Sequence, residues 1–66
     1  MIENKKFKCC IEEYSVLNVE LYKDDKEVFI TAYDETDDSV GESVCLKKEQ
    51  LSDLIGFLIH CLDVIM

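Results

Sequence analysis

The sequence predicts an α+β fold in which a four-stranded antiparallel meander is followed by one C-terminal helix (ββββα). Two observations lead to this prediction. Before residue 34, apolar and polar side chains alternate in two blocks, which is the period of half-buried strands, and a third block is rich in β-branched and aromatic residues. After Lys48, polar residues recur at intervals of four and three, which is the period of a helix. A chain of 66 residues allows one domain, which we assign to residues 1–66.

The first two strands follow from the alternation, and the third follows from its composition. Residues 6–12 alternate apolar and charged side chains and form the first predicted strand. Residues 17–22 repeat this pattern and end at a polar turn over residues 23–26, where aspartates can hydrogen-bond their own backbone. Residues 27–33 are rich in β-branched and aromatic side chains, and the even-numbered members of this strand are expected to face the core.

The second half of the sequence predicts an acidic loop, a short strand and the helix. Residues 34–42 are mostly polar and acidic, so we expect a loop there, with a short fourth strand at residues 43–46. The helix begins near Lys48 and carries one narrow polar stripe, formed by Glu49, Asp53, Gly56, His60 and Asp63. We expect one side of the helix to pack across one face of the sheet.

The helix has more apolar surface than one sheet can cover. A chain this short offers no second layer, so a further copy of the same helix is the simplest cover, in a homodimer or a tetramer. The helix residues that we expect at this oligomer interface share the apolar side; they are Leu51, Leu54, Ile55, Leu58, Leu62 and Ile65.

Charge excludes one class of function and suggests another. The 15 acidic residues outnumber the 7 lysines, and the chain has no arginine, so it cannot neutralise a nucleic-acid backbone directly. Residues 12–42 hold most of the acid. Carboxylates beside outward aromatic rings are typical of a docking surface for a basic protein, although the same charge also serves solubility. The residues predicted for this surface are Glu12, Glu20, Tyr22, Phe29, Tyr33, Asp34, Asp37 and Asp38.

No catalytic, cofactor or metal site is predicted. His60 and Cys61 are neighbours on one helix and point about 100° apart, so they cannot form a catalytic pair within one chain. The four cysteines lack a Cys-x-x-Cys pair, and we expect them to pack as small apolar residues. The acidic segment differs from a calcium-binding loop because Ser39 stands where that loop needs glycine.

These features predict a small, acidic, homo-oligomeric interaction protein that is not an enzyme. We find no secretion signal and no membrane-spanning stretch, and therefore expect a cytoplasmic protein. Small, acidic chains without motifs are similar in style to the inhibitors that phages and other mobile elements carry against host defences, which suggests a protein that occupies a basic site. Two alternatives remain. One is a sponge that binds a small molecule or nucleotide signal at subunit interfaces. The other is an accessory structural subunit of a larger complex.

Overall fold

The computed structural model describes residues 2–66, and within them all side chains except those of residues 38–40. Its elements in chain order are β1 (Ile2–Lys8), β2 (Ser15–Tyr22), β3 (Glu27–Asp34), β4 (Asp37–Leu46) and α1 (Lys48–Ile65). The strands form one antiparallel sheet in the order β1-β2-β3-β4. The predicted α+β class and the ββββα order are therefore confirmed.

The first strand lies earlier than predicted. β1 ends at Lys8, so residues 9–14 form the connection to β2 rather than the end of a strand. Within this loop the Cys9 sulfur accepts hydrogen bonds from the backbone N–H groups of Ile11 and Glu12, at 3.4 and 3.3 Å. The Cys9 N–H donates to the Ser15 carbonyl at 3.0 Å. These local bonds turn the chain where the alternating pattern alone predicts that it stays extended.

The expected acidic loop is instead a two-residue turn and the start of a ten-residue strand. One Asp34 carboxylate oxygen accepts hydrogen bonds from the Thr36 N–H at 2.7 Å and from the Thr36 hydroxyl at 2.5 Å. This aspartate-held turn lets β4 begin at Asp37, and the pairing with β3 shifts register between Tyr33 and Asp34. The turn predicted at residues 23–26 is confirmed, and Lys26 there has a φ of 56°.

Strand register sorts the side chains onto two different faces. One is mainly apolar and is called the apolar face below; its apolar members are Phe7, Leu17, Val19, Leu21, Val28, Ile30, Ala32, Val44 and Leu46. The other is called the polar face, although it also includes the buried Val16. Its members are Ile2, Asn4, Lys6, Lys8, Val16, Asn18, Glu20, Tyr22, Glu27, Phe29, Thr31, Tyr33, Gly41, Ser43 and Cys45. The predicted alternation in β2 and β3 is confirmed by this sorting.

The helix does not lie across the sheet as expected. Its contacts with the sheet are concentrated on β4, and its first turns border a groove whose floor includes Leu21, Val28 and Leu46. The connection is short, because Lys47 alone joins β4 to α1. The Lys47 N–H donates to the Gln50 side chain at 3.0 Å, which fixes the first turn of the helix.

The result is an open molecule with a minimal core. It measures 36 × 32 × 16 Å, and its radius of gyration of 13.3 Å exceeds the about 11 Å expected for a compact domain of this length. Val16 and Val28 are the buried apolar residues among those described. Ala32, which was expected in the core, is exposed, and among the residues whose side chains are described no further layer packs over its end of the apolar face.

Candidate functional site

The polar face brings together four of the residues predicted for a docking surface. Glu20 lies opposite Phe29 in the β2–β3 register, and Tyr22 lies opposite Glu27. The rings of Tyr22 and Phe29 pack edge to face, with centroids 5.1 Å apart and planes at 65°. Tyr33 occupies the same face two cross-strand pairs further along. The arrangement places two half-exposed rings directly beside two carboxylates.

Short hydrogen bonds tie the strands together on this face. The hydroxyl groups of Thr31 and Ser43 lie 2.7 Å apart across β3 and β4. On the same face, between β1 and β2, the Asn4 side-chain amide donates to the Asn18 side-chain oxygen at 3.2 Å. Such cross-strand pairs each contribute on the order of 0.2–1 kcal/mol, and they stabilise the strands that carry the aromatic pair.

The remaining acidic residues of the prediction lie at one end of the sheet. Glu12 is in the β1–β2 loop, while Asp34 and Asp37 flank the β3–β4 turn at the same end. The two connections touch, because the Glu35 N–H donates to the Tyr14 carbonyl at 2.8 Å. Asp38 falls among the residues whose side chains lie outside the description.

The predicted surface is therefore two regions rather than one acidic face. The polar face itself carries Glu20 and Glu27 together with Lys6 and Lys8, because β1 supplies lysines to its edge. Of these, Lys8 pairs with Glu35 of the β3–β4 turn at 3.3 Å. Alternation alone predicts which residues share a strand face. It cannot assign a face to acidic residues in the segments that become turns, such as Glu12 and Glu35.

The predicted oligomer-interface residues fall into two groups, half-buried and exposed, according to where they lie along α1. Leu51 and Leu54 are half-buried, at the end of α1 that meets the sheet. Ile55, Leu58, Leu62 and Ile65 are exposed in the single chain, as are Phe57, Ile59, Val64 and Met66. The second half of α1 thus presents apolar side chains on several sides.

Lysines gather at the groove between α1 and the sheet. The groove has a volume of about 470 Å³, its apolar floor is formed by both elements, and Lys26, Lys47 and Lys48 border it. Lys47 also pairs loosely with Glu27, at 3.9 Å. By contrast, Lys5 lies on the apolar side of β1 while Lys6 and Lys8 lie on the other, so the N-terminal lysines do not converge.

The cysteines are not core residues. All four are free; Cys9, Cys10 and Cys45 are exposed, and Cys61 is half-buried, so the expected core packing is wrong for the first three. Hydrogen bonds from the Glu12 and Ile11 N–H groups lower the pKa of the Cys9 thiol. Cys45 is exposed as a residue, but partial shielding of its thiol from water, followed by the nearby Glu27 carboxylate, raises the pKa of that thiol. No sequence pattern predicted the special setting of Cys9, since it arises from the loop.

Among the described residues, no group of three or more histidine, cysteine or acidic side chains lies close enough together to hold a metal ion. In the same part of the chain, no helix combines the length and apolar character needed to cross a membrane.

Comparisons of this chain with protein-family models, curated proteins and solved structures found no match.

Proposed function

We propose that the protein is a non-enzymatic, homo-oligomeric interaction protein that binds a basic surface of another protein through its polar face. The observation that carries the proposal is the imbalance between buried and exposed apolar side chains. Val16 and Val28 are buried, whereas large apolar residues of the sheet and of most of α1 are exposed. A chain with so little internal core depends on association for stability.

The polar face supports the second half of the proposal. The Tyr22–Phe29 pair is held in place by packing, so its rings can bury area on a partner at little cost in side-chain entropy. Glu20 and Glu27 lie beside these rings and can pair with lysine or arginine of the partner. The overall charge of −8 attracts a basic protein from a distance and accelerates encounter.

We expect the polar face to act by occupying a basic site on its partner. A basic groove that normally binds a phosphate backbone or an acidic segment would be blocked by an ordered face with carboxylates and rings. An inhibitor encoded by a phage or another mobile element, directed at a host defence protein, is the setting that agrees with the size and charge of the chain.

The proposal is tested by affinity purification of partners with matched variants. Glu20→Lys places a lysine on the polar face, and Asp25→Lys makes the same charge change in the exposed β2–β3 turn. A basic partner that binds the polar face is retained by the wild type and by Asp25→Lys, and it is lost with Glu20→Lys. Phe29→Ala weakens the same interaction by about 30-fold if the ring is a hot spot. Equal binding by all variants refutes the polar face as the docking surface.

Sequestration of a small molecule is a second candidate, favoured by the lysine-bordered groove. Three of the seven lysines surround an apolar floor, which suits a ligand with an anionic head and an apolar body. Titration with octanoate, followed by amide chemical shifts, should then perturb residues around Lys48 more strongly than octanol does. Lys48→Gln should weaken the octanoate effect selectively. Equal responses to acid and alcohol count against an anion site.

A further inference from the structure

The apolar face is covered at one end and open at the other. The first turns of α1 border Leu21, Val28 and Leu46, at the end of the sheet where β4 finishes. Toward the opposite end Phe7 is 48% exposed and Leu17 is 40% exposed. The single chain therefore leaves about half of its apolar face in contact with water.

The second half of α1 also exposes apolar side chains to water. It extends beyond the groove, and Leu58 and Leu62 are more than half exposed, at 53% and 54%. A helix of 18 residues is about 27 Å long. An eight-residue strand such as β2 has about the same length. A helix from another molecule can therefore span the open end of the apolar face.

We propose that these two surfaces cover each other in a two-fold symmetric dimer. In this dimer the second half of each α1 lies on the open end of the partner's apolar face, so that the pair of helices forms a layer between two sheets. Self-association is part of the proposed function, on which this inference rests; the new element is that the sheet, and not the helix alone, forms the interface. An isologous contact of this kind closes, since each chain supplies both surfaces.

The available area favours a second copy as the occupant. The exposed apolar side chains of α1 and of the apolar face together offer on the order of 1,000 Å² per chain, against about 800 Å² per partner in a standard interface. A dimer with helices in the middle also explains why α1 is apolar on several sides, because each helix then contacts its own sheet, the partner's sheet and the partner's helix.

Charge does not oppose this contact, although each chain is strongly acidic. The apolar face also carries Glu3 and Lys5 on β1 and Glu42 on β4. Lys23 pairs with Glu3 at 3.4 Å, so the charges at the rim nearly balance. The acid-rich connections lie at the ends of the sheet, and the polar face points outward in such a dimer. Self-association therefore leaves the proposed docking face accessible.

Sedimentation of three variants tests the interface. Leu62→Glu alters the helix, Leu17→Glu alters the apolar face, and Asn18→Glu adds the same charge at the next residue of β2, on the polar face. We expect the wild type and Asn18→Glu to sediment at twice 7.7 kDa. Leu17→Glu and Leu62→Glu should each raise the dissociation constant by at least about 100-fold, because each buries an unpaired carboxylate in the dimer.

The outcomes separate this inference from the proposed function. A dimer that is lost with Leu62→Glu but kept with Leu17→Glu shows association through helices alone, which overturns the inference and leaves the oligomeric protein intact. A wild type that sediments as a folded monomer overturns both self-association claims, while docking on the polar face is measured independently with Glu20→Lys.

A measurement on the unmutated protein covers the case in which Leu17→Glu fails to fold. Labelled and unlabelled chains are unfolded together, refolded and studied by isotope-filtered nuclear Overhauser spectroscopy. Contacts from the Leu17 methyl groups of one chain to α1 of the other support the proposed dimer. Contacts between chains that involve only α1 residues, with none from Leu17, overturn it.

Discussion

Gly56→Ala should stabilise the protein, because the residue lies in the middle of a long helix. A methyl group built at Gly56 meets no heavy atom within 4 Å, so the substitution costs no steric strain in the described chain. The gain is set by helix propensity, since alanine is favoured over glycine in a helix interior by about 0.8–1.0 kcal/mol. For a domain of this size, that free energy raises the midpoint of thermal unfolding by about 4–8 °C.

Thermal unfolding followed by circular dichroism measures this effect. The wild type and Gly56→Ala are compared at equal chain concentrations and again after dilution, because the stability of an oligomer depends on concentration. In the proposed dimer the polar stripe that includes Gly56 faces solvent, so the gain should persist at every concentration. A lower midpoint for Gly56→Ala, most marked at high concentration, would refute this reasoning and place the stripe at a close crossing between backbones.

Three further predictions concern the sheet and its connections. Gly41→Ala should destabilise the protein by about 1–3 kcal/mol, because the new methyl carbon would lie 2.9 Å from the Tyr33 Cβ; chemical denaturation measures the loss, and an unchanged midpoint would contradict the close contact. Asp34→Ala removes the acceptor that holds the β3–β4 turn and should cost about 1–3 kcal/mol in the same assay, whereas a stability equal to that of the wild type would show that the turn forms without it. The pKa of Cys9 is lowered and that of Cys45 is raised, so in a series of increasing pH Cys9 should be alkylated at a lower pH than Cys45. Mass-spectrometric mapping across the pH series measures this order, and the reverse order would disprove the prediction.

The candidate site was predictable from sequence where a residue lies inside a regular element. Alternation in β2 and β3 places Glu20, Phe29 and Tyr33 on one face, and the register confirms it. It does not reveal that Lys6 borders the same face, since that depends on how β1 pairs with β2. It also does not place Glu12, whose position follows from the loop geometry.

The order of strands and helix, the sorting of side chains in the central strands and the excess of apolar surface on the helix are properties of local sequence pattern. They depend on periods of two and 3.6 residues, which act within one element. Tertiary structure decided the rest: where β1 ends, how the Asp34 turn lengthens β4, and the direction in which α1 leaves the sheet. These features depend on hydrogen bonds between segments and on the single residue Lys47 between β4 and α1. In the described chain, the second half of the helix and about half of the apolar face are exposed.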